Sequence, residues 1–402
     1  MKAIEYIKKE EKHGAHNYHP LPVVLKKGKG VYLWDIEGKK YFDFLSAYSA
    51  VNQGHCHPKI IKALKNQGSK LTLTSRAFYN NMLGKFEEYI TKYFGYDKAL
   101  IMNSGAEAVE TALKLCRKWA YKEKHIPKNK AKIIVCNGNF HGRTITIVSM
   151  SSDPASRNEY GPFTPGFINI PYNNLNALEK ACKDENVAGF LIEPIQGEAG
   201  IFIPDDGYLK AAQDICKKNK ILLIIDEIQT GLGRTGKLLA SNYENVKPDI
   251  LILGKALSGG VLPVSAVLAN NDIMLTIKPG EHGSTYGGNP LASKVSIESL
   301  KIIKKEKLIK NAYKLGIIFR ESLLKINSEL IKEIRGKGLL NAIEISDNTN
   351  ITAWDICLEL KNNGILAKPT HNNIIRLAPP LVINKKQITK ALKLIHKTFR
   401  SL

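Results

Sequence analysis

Long apolar runs are missing from this sequence. No stretch reaches the roughly 18 consecutive apolar residues that a membrane-spanning helix needs, which predicts a soluble protein with no membrane partner. The first 20 residues also lack the apolar segment of a secretory signal. They carry three Glu and no Arg, unlike a transit peptide. We therefore predict a cytoplasmic location.

Cysteine is sparse and unclustered. Six cysteines in 402 residues form no CxxC pair, and none stands at a spacing from His that is typical of zinc. The pattern predicts reduced thiols and no metal site, and it leaves a regulatory disulfide open. The cysteines are Cys56, Cys116, Cys136, Cys182, Cys216 and Cys357.

Arginine is also scarce, with nine among the 59 basic residues of a chain whose net charge is +22. The basic residues are spread along the chain, and no aromatic RNA-binding motif accompanies them, so nucleic-acid binding is not predicted. Where Arg is kept, its planar guanidinium can bind a carboxylate through two hydrogen bonds. Arg143 and Arg376 are therefore candidates for carboxylate recognition.

What the sequence does contain, between about residues 99 and 269, is an alternation of short apolar runs and amphipathic helical patterns. Runs that are apolar throughout predict strands buried on both faces. Strands that alternate with helices, such as the one expected over 208–219, predict a mostly parallel sheet covered by helices. The predicted strands are 132–136, 189–194, 221–227, 249–254 and 264–269.

The pattern of apolar and polar residues changes after Pro290. A Lys-rich helical stretch is predicted over 291–333, broken near its middle, and strands are predicted within 335–345 and 373–383. An amphipathic helix over 385–400 closes the chain.

The first 45 residues contain a predicted hairpin around Glu37 and Gly38 but no helix-rich core of their own. We expect them to pack against the C-terminal unit. The predicted organisation is an α/β chain with a large domain over 46–288 and a smaller α+β domain built from both termini, 1–45 and 289–402.

The segment GLGRTG (231–236) matches the GxGxxG pattern and, with Lys237, nearly matches a P-loop. Leu238 stands where a P-loop needs Ser or Thr for magnesium, and the acidic strand precedes the loop. The segment also does not follow a strand directly, as a dinucleotide fingerprint should. Nucleotide binding is therefore only a remote alternative.

Residues 103–120, NSGAEAVETALKLCRKWA, predict a helix with one apolar face. Ser104 and Gly105 stand at its start. One interpretation is an ordinary N-cap. The other is an anion site, in which the Ser104 hydroxyl and the N–H groups of Gly105 and Ala106 hold a phosphate.

Two more residues follow predicted strands. Asp226 ends ILLIID, and Lys255 follows LILG. The plain interpretation of Asp226 is a structural salt bridge, and that of Lys255 is a surface charge. The alternative for both is a position at the ligand-binding edge of the sheet. Together with the start of the 103–120 helix, the two supply what pyridoxal phosphate needs: a lysine for its aldehyde, an acid for its ring nitrogen and a phosphate site.

The sequence resembles the class III, fold-type I aminotransferases over essentially its whole length. The similar segments, from residue 14 to residue 383, include GAHNYHPLPV, FDFLSAYSAVNQGHCHPK, LTSRAFYNN, NFHGRT, EPIQGEAG, DEIQTGLGRTG, LGKALSGG, GEHGSTYGGNP and IRLAPPLVI. The resemblance implies pyridoxal 5′-phosphate as cofactor, a fold-type I architecture and a homodimer with shared active sites.

The resemblance also implies roles around the cofactor. Lys255 would bind its aldehyde carbon and move the proton during transfer, and Asp226 would keep the ring nitrogen protonated. Gln229 would hydrogen-bond the phenolic oxygen, and Phe140 would stack on the ring. Ser104, Gly105 and Ala106 would bind the phosphate, with Thr285 of the neighbouring subunit completing it. A structural role is left open for His141.

For the substrate, the resemblance points to the ornithine-specific members of the class, because Tyr18 and Tyr48 match their two tyrosines. Arg143 and Tyr18 would hold the carboxylate of L-ornithine away from the cofactor. Arg376 would bind 2-oxoglutarate in the second half-reaction, and Glu198 would mask Arg376 during the first. For Tyr18 and Tyr48 the alternative is plain packing, and for the two arginines a structural ion pair.

The expected reaction is the ping-pong transfer of the δ-amino group of ornithine to 2-oxoglutarate, giving glutamate 5-semialdehyde and glutamate. The nearest alternative is a related enzyme that acts on acetylornithine or 4-aminobutyrate.

Overall fold

The computed structural model describes residues 2–371 and 373–402 of the chain. Its centre is a seven-stranded sheet in which neighbouring strands pair in parallel, except that Ser265–Ala269 runs antiparallel to both of its neighbours. The predicted mostly parallel α/β sheet is thus confirmed, with all five predicted strands present. The spatial order is Lys98–Met102, Ser265–Ala269, Ile250–Leu253, Leu222–Asp226, Val187–Ile192, Lys132–Cys136 and Phe167–Ile170.

Both faces of this sheet are covered because its strands are apolar at most positions and almost entirely buried. In the strand Leu222–Asp226, Leu222 and Ile224 pack in the core that includes the helix Gly105–Lys122. Leu223 and Ile225 point the other way, into the core that includes the helix Tyr208–Lys218. Alternate side chains of a strand face opposite sides, so each helix buries one set. This leaves the carboxyl-terminal ends of the strands as the open edge.

One of the two other sheets combines strands from both ends of the chain, and the other is formed by C-terminal strands alone. The predicted hairpin is present, with its two strands joined through a turn at which Gly38 has a φ of +92°. Its second strand, Lys40–Asp43, pairs in parallel with Ile365–Leu366 near the C-terminus. The strands of this sheet are Leu25–Lys29, Tyr32–Asp35, Lys40–Asp43 and Ile365–Leu366. Those of the third sheet are Ile331–Lys337, Leu340–Ile345, Ile374–Leu377 and Lys368–Thr370.

The long helical stretch predicted after Pro290 is two helices, Pro290–Lys305 and Leu308–Leu323, separated at Lys307, whose φ is +54°. The prediction extended this stretch too far, because a strand begins at Ile331. The helix Ala3–His13 was not predicted, and it buries no residue. The other α-helices are Pro58–Gly68, Leu83–Phe94, Ile145–Ser149, Pro154–Arg157, Leu175–Ala181, Gly197–Gly200, Asn271–Met274, Ala353–Asn362 and Lys385–Ser401, and 3-10 turns span Ala240–Tyr243 and Lys255–Ser258. Within the described residues, no helix combines the length and apolarity that crossing a bilayer requires.

The GLGRTG segment is a buried junction between the central sheet and the C-terminal strands. Arg234 is fully buried, and its guanidinium donates to the carbonyls of Leu339 and Pro379 at 2.9 and 2.7 Å and to Asn52 Oδ1 at 2.5 Å. The segment leads through turns into Ala240–Tyr243 rather than into an α-helix. A helix N-terminus is what binds phosphate in both nucleotide motifs, so the nucleotide-binding alternative has no structural support here.

Candidate active site

A cavity of about 200 Å³ opens at the carboxyl-terminal edge of the central sheet. Its walls come from segments that are far apart in the sequence but end at the same edge, as parallel strands do. Seven of the predicted site residues line it: Gly105, Ala106, Phe140, Glu198, Asp226, Gln229 and Lys255. His141, Gly142, Glu193, Ile228 and Thr230 complete the lining.

Lys255 enters this cavity from the turn that follows the strand Ile250–Leu253. Its φ is +43°, in the left-handed region that side chains other than glycine seldom adopt. Burial lowers the pKa of its ammonium group, and the nearby carboxylate of Glu198 partly opposes that shift. A lysine in this setting supplies the neutral amine more readily than a surface lysine does.

Asp226 ends the neighbouring strand Leu222–Asp226 and is only 5% exposed. Its Oδ2 lies 2.8 Å from His141 Nδ1, and its Oδ1 accepts a hydrogen bond of 3.0 Å from the N–H of Ile228. Burial acts to lower the pKa of His141, but the hydrogen bond to Asp226 and the negative charges of Asp226 and Glu193 together outweigh it and raise the pKa overall. The raised pKa favours a protonated imidazole beside Asp226. His141 thus lines the cavity, although the sequence suggested only a structural role for it.

The helix Gly105–Lys122 begins at the cavity wall. The Ser104 hydroxyl accepts from the N–H of Glu107 at 3.2 Å, and the Glu107 carboxylate accepts from the N–H of Ser104 at 2.7 Å. The ordinary N-cap interpretation of Ser104 is thus realised. The N–H groups of Gly105 and Ala106, in the first turn, have no helical carbonyl to pair with. They remain the natural donors to an anion.

Glu198 and Arg376 form an ion pair, with Oε1 and Nη1 2.7 Å apart. Gln229 Nε2 donates to the same oxygen at 2.8 Å. Burial alone would raise the pKa of Glu198, but the charges of Arg376 and Lys255 and the hydrogen bonds from Arg376 and Gln229 together outweigh it and lower the pKa to about 2. The Arg376 guanidinium also lies over the ring of Tyr48, with its carbon 5.0 Å from the ring centroid.

Tyr48 is presented by an unusual stretch, because Ser46–Ser49 all have positive φ, from +47° to +73°. Each residue in this left-handed region costs roughly 1–2 kcal/mol, so other contacts must hold the turn. Asp43 Oδ1 accepts from the N–H groups of Leu45 and Ser46, both at 2.8 Å. The Ser46 hydroxyl donates to the carbonyl of Ala378 at 2.6 Å. Strain of this kind is typical of functional sites.

Six of the predicted residues are not among those that line the cavity. Ser104, Tyr48 and Arg376 are described above, and the others are Arg143, Tyr18 and Thr285. Arg143 is exposed, with its guanidinium 5.6 Å from the ring centroid of Phe140. Tyr18 is 68% exposed, and its ring lies 5.8 Å from Lys368 Nζ. Thr285 is exposed, and the cavity of its own chain does not include it.

Glu193 is a site residue that the sequence reasoning missed. It is 7% exposed, and its carboxylate accepts from the N–H groups of Phe140 at 2.9 Å and Gly197 at 3.4 Å. Burial raises the pKa of Glu193 to about 7, and the positive charge of His141 opposes the shift. The signal was available, because Glu193 ends an apolar strand run just as Asp226 does.

Two observations test whether these residues fit pyridoxal phosphate. Within the described part of the chain, His141 Nε2 and Gln229 Oε1 are buried without hydrogen-bond partners. A Cβ at Gly142 would lie 2.9 Å from the Cβ of Ala106 and would crowd the start of the helix. Because glycine has no side chain, the N–H groups at the helix start stay accessible. With a lysine, an acid and free N–H groups around one cavity, the residues present fit the group.

The sequence profile of the family described as aminotransferase class-III matches residues 13–399. The chain belongs to this family, whose members are aminotransferases that depend on pyridoxal phosphate. The mostly parallel sheet and the lysine-bearing cavity agree with that membership.

Particular relatives lie within the ornithine branch. The chain is 61% identical over 398 residues to the mitochondrial ornithine aminotransferase of Rattus norvegicus, covering 99% of this chain and 91% of the relative. It is 55% identical to the ornithine aminotransferase of Plasmodium falciparum, covering 98% and 96%. The crystal structure of the Toxoplasma gondii ornithine aminotransferase superposes with a TM-score of 0.98 at 50% identity, covering 100% and 96%. The acetylornithine aminotransferase of Elizabethkingia anophelis superposes with a TM-score of 0.92 at 57% identity, covering 100% of both chains.

Proposed function

We propose that this chain catalyses transfer of the δ-amino group of L-ornithine to 2-oxoglutarate, giving glutamate 5-semialdehyde and glutamate. The observation that carries the proposal is the Glu198–Arg376 pair, 2.7 Å apart, beside Lys255 and Tyr48. A guanidinium that is masked by a carboxylate suits an enzyme that must accept an amine and a dicarboxylate in turn. The ornithine aminotransferases, at 55–61% identity, support the same reaction.

Lys255 is the residue that we assign to covalent binding of the cofactor and to proton transfer. When bound, pyridoxal phosphate supplies an aldehyde carbon that takes up the amino group and a ring that accepts electrons from the substrate carbon. Lys255 Nζ, freed by the incoming amine, takes the proton from Cδ of ornithine. Its lowered pKa favours the neutral amine that this step needs.

The remaining cofactor contacts are assigned from position. Asp226, held by His141 and by the N–H of Ile228, keeps a proton on the ring nitrogen. The N–H groups of Gly105 and Ala106 bind the phosphate, and Phe140 stacks on the ring. Gln229, also in the cavity wall, is assigned to the phenolic oxygen.

The two substrates use different arginines in this proposal. Arg143, which makes no ion pair within the described residues, binds the distant carboxylate of ornithine together with Tyr18. Arg376 stays paired with Glu198 during that half-reaction. When 2-oxoglutarate enters, the Glu198 side chain swings away and Arg376 binds the carboxylate next to the keto group.

A homodimer is part of the proposal. It is supported by the exposed segment that contains Thr285 and Tyr286, which Ser284 fixes beside the helix start through a 2.7 Å hydrogen bond from Asn103. Thr285 would complete the phosphate site of the partner. Co-expression of Lys255→Ala and Thr285→Ala chains tests this, because mixed dimers should contain one site with neither defect. Equal inactivity of mixed and pure dimers would exclude sharing.

A division into domains 1–45, 46–288 and 289–402, and a cytoplasmic location, also remain proposals. The division is supported by the separate sheets described above. Because some relatives are named as mitochondrial, fractionation of the source cells with immunodetection tests the cytoplasmic location.

A second candidate is transamination of acetylornithine, which the similarity to the Elizabethkingia anophelis enzyme favours. The deciding experiment follows the visible absorption of the purified protein loaded with pyridoxal phosphate. Bleaching by ornithine and recovery with 2-oxoglutarate are expected for the wild type, and no yellow species for Lys255→Ala. Exposed Lys70→Ala is the matched control. A yellow protein that responds only to N-acetylornithine would overturn the substrate assignment.

A further inference from the structure

The hairpin formed by Lys368–Thr370 and Ile374–Leu377 holds Glu198 at two points. From one strand, Arg376 Nη1 contacts the Glu198 carboxylate at 2.7 Å. From the other, the Thr370 hydroxyl donates to the main-chain carbonyl of Glu198 at 2.6 Å. Thr370 is only 9% exposed, so water does not readily replace this bond.

The turn that carries Glu198, Gly197–Gly200, is fixed at its other end as well. Arg335 Nε donates to the carbonyl of Gly200 at 2.9 Å, and Arg335 is itself held by Glu344 at 2.6 Å. Neither glycine leaves space around the turn. A Cβ at Gly197 would fall 1.9 Å from Gln229 Oε1, and one at Gly200 would fall 2.5 Å from the side chain of Ile374.

We propose that Thr370 is a positioning residue that fixes the main chain of Glu198, so that the carboxylate leaves and regains Arg376 by side-chain rotation alone. This inference rests on the proposed ornithine transamination. With the main chain fixed, the closed pair reforms after each turnover. Without the Thr370 hydroxyl, the turn can recede and leave Arg376 unmasked while ornithine binds.

An unmasked Arg376 changes which end of ornithine reacts. It attracts the α-carboxylate of ornithine, which places the α-amine instead of the δ-amine next to Lys255. Transfer of the α-amine replaces the Cα–N bond with a keto group whose oxygen comes from water, and the amine passes to 2-oxoglutarate as before. The product, 5-amino-2-oxopentanoate, cyclises to a ring that is distinguishable from the cyclised δ-product.

The test compares Thr370→Val with Thr370→Ser, which keeps the hydroxyl. One lost hydrogen bond of this kind is worth roughly two- to tenfold in an equilibrium. We therefore expect Thr370→Val to raise the ratio of α- to δ-transfer, and the KM for ornithine, by about that factor, with Thr370→Ser near the wild type. Thr276→Val is the matched control, because Thr276 is 7% exposed and its hydroxyl donates to the carbonyl of Ile273 at 2.8 Å, outside the cavity.

Product ratios are measured by chromatography of the two cyclised products, with thermal unfolding recorded for each variant. A Thr370→Val enzyme that is less stable but keeps the wild-type ratio would overturn the inference and leave Thr370 a purely structural residue. If that variant does not fold, Arg335→Lys releases the other end of the turn and should shift the ratio in the same direction. A wild-type enzyme with no δ-transfer would refute the proposed function instead.

Discussion

Replacing Glu198 with Gln tests the ion pair at the centre of the proposed mechanism. The change keeps the shape of the side chain but removes the charge that faces Arg376 and Lys255. Gln229 and Arg376 can still donate to the amide oxygen, so the site is not left with an empty space. The effect is therefore mainly electrostatic.

The lowered pKa of Glu198 gives the size of the stability loss expected for Glu198→Gln. A fall of the Glu198 pKa from the usual 4.5 to about 2 corresponds to roughly 3 kcal/mol, because each pKa unit is worth about 1.4 kcal/mol. Because the folded-state pKa is depressed, this stabilisation is fully present above pH 4.5 and is lost as the pH falls towards 2. At pH 7, Glu198→Gln should lower the free energy of unfolding by up to about 3 kcal/mol, and the difference from the wild type should narrow below pH 4.5.

The two half-reactions should respond differently. Unmasked Arg376 competes for the ornithine carboxylate, so the ornithine half-reaction should slow by up to about 100-fold, the factor that roughly 3 kcal/mol allows. The half-reaction with 2-oxoglutarate needs Arg376 free and should be retained. Rapid-mixing absorption measurements separate the two steps, and exposed Glu179→Gln serves as the control. Equal losses in both half-reactions, or an unfolding free energy equal to that of the wild type at pH 7, would refute this reasoning.

Three further substitutions test the framework of the site by urea unfolding. Arg234→Met leaves three buried acceptors without a donor, so it should lower the free energy of unfolding by about 3–5 kcal/mol. The exposed control Arg400→Met should change it very little. Equal effects of the two substitutions would contradict the buried junction. His141→Gln should destabilise the protein more at pH 6 than at pH 9. Because the pKa of His141 is raised in the folded state, its protonated form stabilises the fold below the usual pKa of 6.5, and this stabilisation is lost as the pH rises through the raised pKa. A loss of stability that does not depend on pH would exclude a charged His141. Ala47→Gly, at a φ of +47°, should stabilise by up to about 1 kcal/mol, and a clear destabilisation would show that the turn is not strained.

The sequence was enough to predict the central sheet, and with it half of the site. Strands that are apolar at every position can be recognised without knowledge of their neighbours. Because such strands run mostly parallel, polar residues at their carboxyl ends meet at one edge. Asp226, Lys255 and the helix start at Gly105 do meet in one cavity for that reason.

Features that depend on contacts between distant segments could not be predicted in the same way. The left-handed turn that presents Tyr48 has no glycine, so the residues themselves give no sign of positive φ. It exists because Asp43 and the carbonyl of Ala378 bind it from either side. The pairing of His141 with Asp226 likewise joins a loop residue to a strand end that is 85 positions away in the sequence.

The hydrogen bonds of the three cavity carboxylates show why Glu198 is the one that can move. Asp226 accepts from the N–H of Ile228, and Glu193 accepts from two main-chain N–H groups, so neither carboxylate can turn without leaving a buried N–H unpaired. Among the described residues, the Glu198 carboxylate accepts only from the side chains of Arg376 and Gln229. Its side chain is 22% exposed, whereas that of Asp226 is 5% exposed. Rotation of Glu198 therefore breaks contacts that substrate or water can replace. In the proposed mechanism, the two fixed carboxylates stay in place while the movable one decides which substrate the site accepts.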